Sequence, residues 1–81
     1  MNINVKLFAR ARELARAPEL KLTLPAGTTA SGALHALVSA APALREISPY
    51  LRVAVNHRLV DPGHPINEGD EVAMLPPMSG G

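Results

Sequence analysis

Glu71-Val72-Ala73-Met74-Leu75-Pro76-Pro77-Met78-Ser79-Gly80-Gly81 is the stretch from which the rest of the chain is read. Its first part alternates. Val72 and Met74 share one parity, while Glu71, Ala73 and Leu75 share the other, which is the period of a half-buried strand. A charged Glu71 belongs outside, so Leu75 points outside as well. Pro76 and Pro77 then end the strand, because neither donates a ladder hydrogen bond and both hold φ at about −65°. They favour an extended, semi-rigid segment. The residues after them are mostly small, and the last two are glycines. A tail without Cβ atoms can thread a narrow channel and let backbone approach backbone. Its reactive group is the α-carboxylate of Gly81. A carboxylate is a poor electrophile and needs activation, for example as an acyl-adenylate, by an enzyme that encloses it and excludes water. The stretch therefore predicts a domain over residues 1–75, a flexible tail over 76–81, and a carrier whose functional group is its own C-terminus, Gly81, with Gly80 giving clearance.

Outward from that stretch, residues 2–8 alternate in the same way, with Phe8 breaking the pattern. Ile3, Val5 and Leu7 lie on one face, Asn2, Asn4 and Lys6 on the other. By parity the ring of Phe8 falls on the polar face. Either the strand has ended and the ring tucks under the next segment, or Phe8 is an exposed contact residue. Residues 9–17 are strong helix formers that stop before Pro18, with Leu14 inward and Arg10, Arg12 and Arg16 forming a basic cluster. Residues 19–24 alternate again, with Leu20, Leu22 and Leu24 inward, and predict a second strand antiparallel to the first. Pro25-Ala26-Gly27 turns the chain.

Thr28 or Thr29 caps the next helix. Along it Ala30, Ala33, Leu34, Leu37, Val38 and Ala41 recur at helical spacing and form one apolar stripe. Pro42 ends it, and Leu44 and Ile47 suit a further short turn. Residues 51–55 read as a third strand with Val53 and Val55 inward. Asn56-His57 forms a tight turn into a short strand at Arg58-Leu59-Val60. Residues 61–65 are a loop by composition, and in the turn at 67–70 Gly69 supplies positive φ. If the first and last strands are neighbours, outward Leu75 lies near Phe8, and Leu59 joins them in a contiguous apolar patch at the root of the tail. Such a patch is a docking surface. The element order predicts an α+β architecture: a mixed sheet of about five strands, one long helix packed on one face, and a short helix between the first two strands. It suits a β-grasp, ubiquitin-like sheet.

Composition narrows the function classes. With 81 residues the chain is one domain, and its core must be aliphatic, since Phe8 and Tyr50 are the only aromatics. A net charge of +1 gives no electrostatic footprint for nucleic acid. The absence of cysteine removes disulfides, thiolate nucleophiles and cysteine metal sites, and leaves the C-terminal carbonyl as the place where a sulfur carrier would hold sulfur. No apolar run is long enough to span a membrane, and the N-terminus already reads as strand, so a cytoplasmic protein is expected. His57, Asp61 and His64 cluster in sequence, but without metal-ligand spacing; no metal site and no bound cofactor are expected. No P-loop pattern is present, so ATP is handled in trans by another protein.

The chain resembles the small, sulfur-carrying subunits of molybdopterin synthase. The resemblance rests on Leu7-Phe8-Ala9 with Arg12-Glu13, Ala54-Val55-Asn56 followed by Leu59-Val60, His64-Pro65-Ile66, Gly69-Asp70-Glu71-Val72-Ala73, and Pro76-Pro77-Met78-Ser79-Gly80-Gly81. It runs from near the N-terminus to the last residue. The Gly-Asp-Glu-Val and Pro-Pro-x-Ser-Gly-Gly pieces suit sulfur carriers in general. The Phe-Ala-x-x-Arg-Glu piece points to the molybdopterin branch.

The resemblance implies a β-grasp fold and a C-terminal glycine that an ATP-dependent, ubiquitin-activating-like enzyme adenylates. With a sulfurtransferase, that glycine becomes a thiocarboxylate. The tail, Pro76 to Gly81, enters the large subunit of the synthase, in an assembly of two small and two large subunits. There it gives sulfur to cyclic pyranopterin monophosphate. Phe8, Leu59 and Leu75 match family positions at the hydrophobic interface, Leu75 being aliphatic where relatives often carry an aromatic, and Arg12 matches a family arginine with a structural or docking role. On this view the chain is a co-substrate, with catalytic residues on the large subunit. The alternatives are a carrier for thiamin synthesis or tRNA thiolation, a ubiquitin-like protein modifier, and an adaptor with an inert tail.

Overall fold

In a computed structural model the structure describes residues 1–76. Six residues of alternating character form β1 (Asn2–Leu7), and Ile3, Val5 and Leu7 are all buried. Extended backbone carries on through Phe8, at φ −129° and ψ 156°. Ala9 then takes φ 50° and turns the chain into α1 (Ala9–Ala15). This corner leaves Phe8 facing outward and exposed. The helix stops two residues before the expected end. Arg16, at φ 57°, adopts the left-handed conformation, and the N–H groups of Arg16 and Ala17 close on the carbonyls of Glu13 and Arg12. Seven residues make two turns, so a small side chain lets the helix lie close to the core: Ala11 is fully buried, while Leu14 packs at the core's margin.

The second strand, β2 (Glu19–Thr23), pairs antiparallel with β1, Ile3 opposite Leu22 and Val5 opposite Leu20. It is an edge strand, which is why Leu20 is only half-buried while Leu22 and Leu24 belong to the core. α2 (Ala30–Ala40) comes after a turn at Gly27, whose φ is 86°. Its N-terminus is satisfied from two sources. Thr29 Oγ1 accepts from the Gly32 N–H at 3.2 Å, and the carbonyls of His64 and Pro62 accept from Ala30 and Ser31 at 2.8 and 2.9 Å. The loop read by composition alone is thus tied to the helix start. It also donates Ile66 to the core, with the Ile66 N–H bonded to the Thr28 carbonyl.

Two short 3₁₀ turns at Pro42–Leu44 and Ser48–Tyr50 bring the chain back to the sheet, and the first buries Leu44 completely. β3 (Arg52–Val55) and β4 (Arg58–Leu59) form a hairpin. Asn56 and His57, at φ 52° and 70°, occupy its two central turn positions. Positive φ at both is the turn whose twist matches the strands it joins. β5 (Val72–Leu75) closes the sheet in the order β2-β1-β5-β3-β4. It is the central strand, parallel to β1 and antiparallel to β3.

α2 covers one face of this sheet, turning Ala30, Ala33 and Leu37 into the core. No polar or charged side chain is buried among the described residues, so the core is held by aliphatic packing alone. Leu37→Ala is expected to destabilise the domain by about 2–5 kcal/mol. A chain this size holds roughly 4–12 kcal/mol in all. A lowered chemical denaturation midpoint is the readout for that variant.

Candidate functional site

The uncovered face of the sheet carries the outward residues of each strand. Lys6 lies beside Ala73, Ala73 beside Ala54, and Ala54 beside Leu59, making one row across four strands. The next outward row toward the tail holds Arg52 beside Leu75, beyond the Leu7–Met74 pair, which points into the core. One residue further along the β1 register, Phe8 stands beside Leu75. Phe8 and Leu59 are exposed, 44% and 53% of their surface respectively, and Leu75 is half-exposed. In a chain with one phenylalanine, holding that ring outside leaves apolar area uncovered at the root of the tail.

The structure therefore brings Phe8 and Leu75 together, with Leu59 on the same face two strands away. Ala73 and Ala54 bridge the interval. Sequence reading passed over these two alanines. Their signal was parity, since Ala73 shares that of Leu75, and their small size leaves the face flat between larger side chains. Arg12 is not part of this row. Its N–H meets the Phe8 carbonyl at 3.4 Å, but its exposed side chain lines a shallow groove with Arg16, Ala17 and Pro18 on the flank of α1. Pro76 directly follows Leu75 and is half-exposed. The interface and tail roles expected of Pro77, Met78, Ser79, Gly80 and Gly81 lie outside the described residues.

A set of polar contacts borders the apolar row on the side away from the tail. Glu71 Oε2 lies 3.1 Å from His57 Nε2 and 3.5 Å from Lys6 Nζ. Asn56 joins the hairpin turn to the turn before β5. Its Oδ1 accepts from the Glu71 N–H at 2.9 Å and its Nδ2 donates to Asp70 Oδ1 at 3.1 Å. Asp70 Oδ2 accepts from the Asn67 N–H at 2.8 Å. That backbone donor, and then the Asn56 amide, hold the Asp70 carboxyl below the usual carboxylate range.

A depressed folded-state pKa means that the charged Asp70 stabilises the fold above about pH 3.8 and that this contribution fades as pH falls below it. Asp70→Asn is expected to flatten the pH dependence of stability below pH 4, as read from denaturation midpoints between about pH 3 and 6.

His64 and Asp61 meet only through a turn, the His64 N–H bonding the Asp61 carbonyl at 3.0 Å, and His57 faces Glu71 instead. Among the described residues no three His, Asp or Glu side chains gather as metal ligands, and no helix is long and apolar enough to cross a membrane.

A five-stranded mixed sheet clasping one helix, with its C-terminal strand at the centre and an apolar patch where that strand ends, defines a ubiquitin-like β-grasp protein. The chain belongs to the ThiS family, whose model matches residues 5–81. It is 40% identical to a molybdopterin synthase sulfur carrier subunit of Arabidopsis thaliana, over all of this chain and 84% of that one. It is 42% identical to a protein of the same description from Drosophila yakuba, over all of this chain and 92% of that one. Among solved structures, SAMP1 from Haloferax volcanii, a small archaeal modifier protein, superposes with a TM-score of 0.88 at 31% identity over the whole of both chains.

Proposed function

We propose that this chain is a sulfur carrier in molybdenum cofactor biosynthesis, serving as the small subunit of molybdopterin synthase. The observation that carries the proposal is the outward pair Phe8 and Leu75 at the end of the central strand, where the Pro-Pro-Met-Ser-Gly-Gly segment begins. The relatives described as sulfur carrier subunits support it along the full chain.

In this reading an activating enzyme joins the Gly81 carboxylate to the adenylyl group of ATP and releases pyrophosphate. A persulfide on a sulfurtransferase attacks the acyl carbon and displaces AMP, and a thiol then cleaves the acyl disulfide, leaving the thiocarboxylate on Gly81 and a disulfide behind. The tail then enters the large subunit, and its sulfur passes to cyclic pyranopterin monophosphate. The six residues from Pro76 to Gly81 reach at most about 20 Å, so the patch docks roughly that far from the chemistry. Proton transfers and phosphate contacts are left to the large subunit.

Sulfur transfer tests the proposal. The thiocarboxylated chain, mixed with large subunit and precursor, gives the dithiolene product, and the carboxylate form gives none. The likeness to a small archaeal modifier protein favours a second reading, in which Gly81 ends on a lysine of another protein. That reading requires a ladder of heavier conjugates on blots of cell extracts, which the carrier reading does not produce.

A further inference from the structure

Arg52 opens β3 on the uncovered face, in register with Leu75 and therefore in the row that holds Phe8. Its neighbours on that face are Leu75 across the β5 ladder, Ala54 two residues along, and, on the β4 side, Asp61, which lines one groove with it. The other permanent cation on this part of the face is compensated: Lys6 has Glu71 at 3.5 Å and faces Glu19 across the β1–β2 ladder. Among the described residues, no carboxylate lies within ion-pair distance of the exposed Arg52 side chain. A guanidinium is thus held at the border of the apolar row beside the root of the tail, near Asp61 but in no ion pair with it, and its fork of donors can bind a planar anion.

We infer that Arg52 is a docking determinant that pairs with a carboxylate on the large subunit when the Phe8–Leu75 patch is covered. The inference rests on the docking reading above and adds to it a charge requirement on the partner's surface. As the partner covers the apolar row, water is displaced around Arg52. An acidic side chain placed there steers the encounter and then holds the register of the tail root, while a neutral or basic one leaves a cation to be desolvated. Its side chain is exposed and makes no hydrogen bond or ion pair among the described residues, so its charge can be changed without touching the core.

The test uses the full-length chain and the isolated large subunit, with association followed by surface capture or stopped flow at low and high salt. At about 20 mM ionic strength Arg52→Glu is expected to slow association about tenfold, and Arg52→Gln about threefold. Both should converge on the unmutated rate near 0.5 M salt, where charges are screened within a few ångströms. Lys21→Glu is the control. It makes the same change in net charge on the same face but at the far edge, opposite Asn4, and is expected to stay within about twofold of the unmutated chain. Arg52→Glu no slower than Lys21→Glu overturns the inference, as does a loss that is insensitive to salt. Should Arg52→Glu fail to fold, Arg52→Gln gives the same readout. Phe8→Asp, run alongside, separates the two ideas. If it binds like the unmutated chain, the docking reading itself fails. If it does not bind and Arg52→Glu binds normally, only the assignment of Arg52 fails.

Discussion

Phe8→Asp is expected to weaken binding to the large subunit by at least about 10²-fold while leaving the domain folded. Two contributions add. The substitution removes a ring whose burial at an interface is worth roughly 2–3 kcal/mol. It also places an unpaired carboxylate under the partner, and a buried charge without a mate is opposed by several kcal/mol more. The fold is spared because Phe8 is 44% exposed and lies outside the core; the strand before it is held by Ile3, Val5 and Leu7. Circular dichroism and the melting temperature separate the two effects. A melting temperature that falls with the affinity would mean that Phe8 belongs to the core after all. Leu75→Asp is expected to act in the same direction with a smaller loss, since an aliphatic side chain covers less area than a ring.

Deleting Gly81 is expected to lower sulfur transfer by at least about 10²-fold with no change in stability. One residue fewer draws the terminal carbonyl back by about 3.8 Å. A misplacement of about 1 Å is already enough to lose 10²-fold where reacting atoms must meet in a fixed geometry. The domain is not expected to feel the change, because among the described residues the core side chains, the ladders of β5 and the caps of α2 all lie at or before Leu75. Single-turnover transfer from the loaded chain is the measurement. The unmutated rate in the shortened chain would mean that the terminal carbonyl is not what the partner positions.

The parts of this fold that could be read from sequence are those with a repeating local pattern. Residues 2–8 and 19–24 alternate and hold the strands Asn2–Leu7 and Glu19–Thr23; the apolar stripe from Ala30 to Ala41 marks α2, and of the two candidate caps Thr29 is the one used. The outward parity of Leu75 also put its side chain on the uncovered face, because parity survives whatever the strand order is. The order itself was not in any local pattern. Pairing β1 with β5 joins residues nearly a chain length apart, and only the sum of core contacts selects it.

Single buried residues were equally silent. Ile66 sits between Pro65 and Asn67 in a segment of turn residues, with no second apolar position to reveal a period. Ala11 was passed over for Leu14, since nothing in the helix states how closely it approaches the sheet. The early end of α1 comes from a left-handed Arg16, and arginine carries no local signal for that conformation. Nothing in the sequence sets Arg52 apart from the other arginines. Its place beside Leu75 became visible only with the β3–β5 register.

The proposed function turns on Gly81 as the group that carries sulfur. Its plainest test is the intact mass of the chain after incubation with its activating enzyme, ATP and a sulfur donor, and again after adding the large subunit and cyclic pyranopterin monophosphate. Replacing one terminal oxygen by sulfur adds about 16 Da. This gain is expected to appear, to map to the C-terminal peptide and to disappear once the acceptor is present. No gain with an activating enzyme that works on another carrier would mean that Gly81 does not carry sulfur.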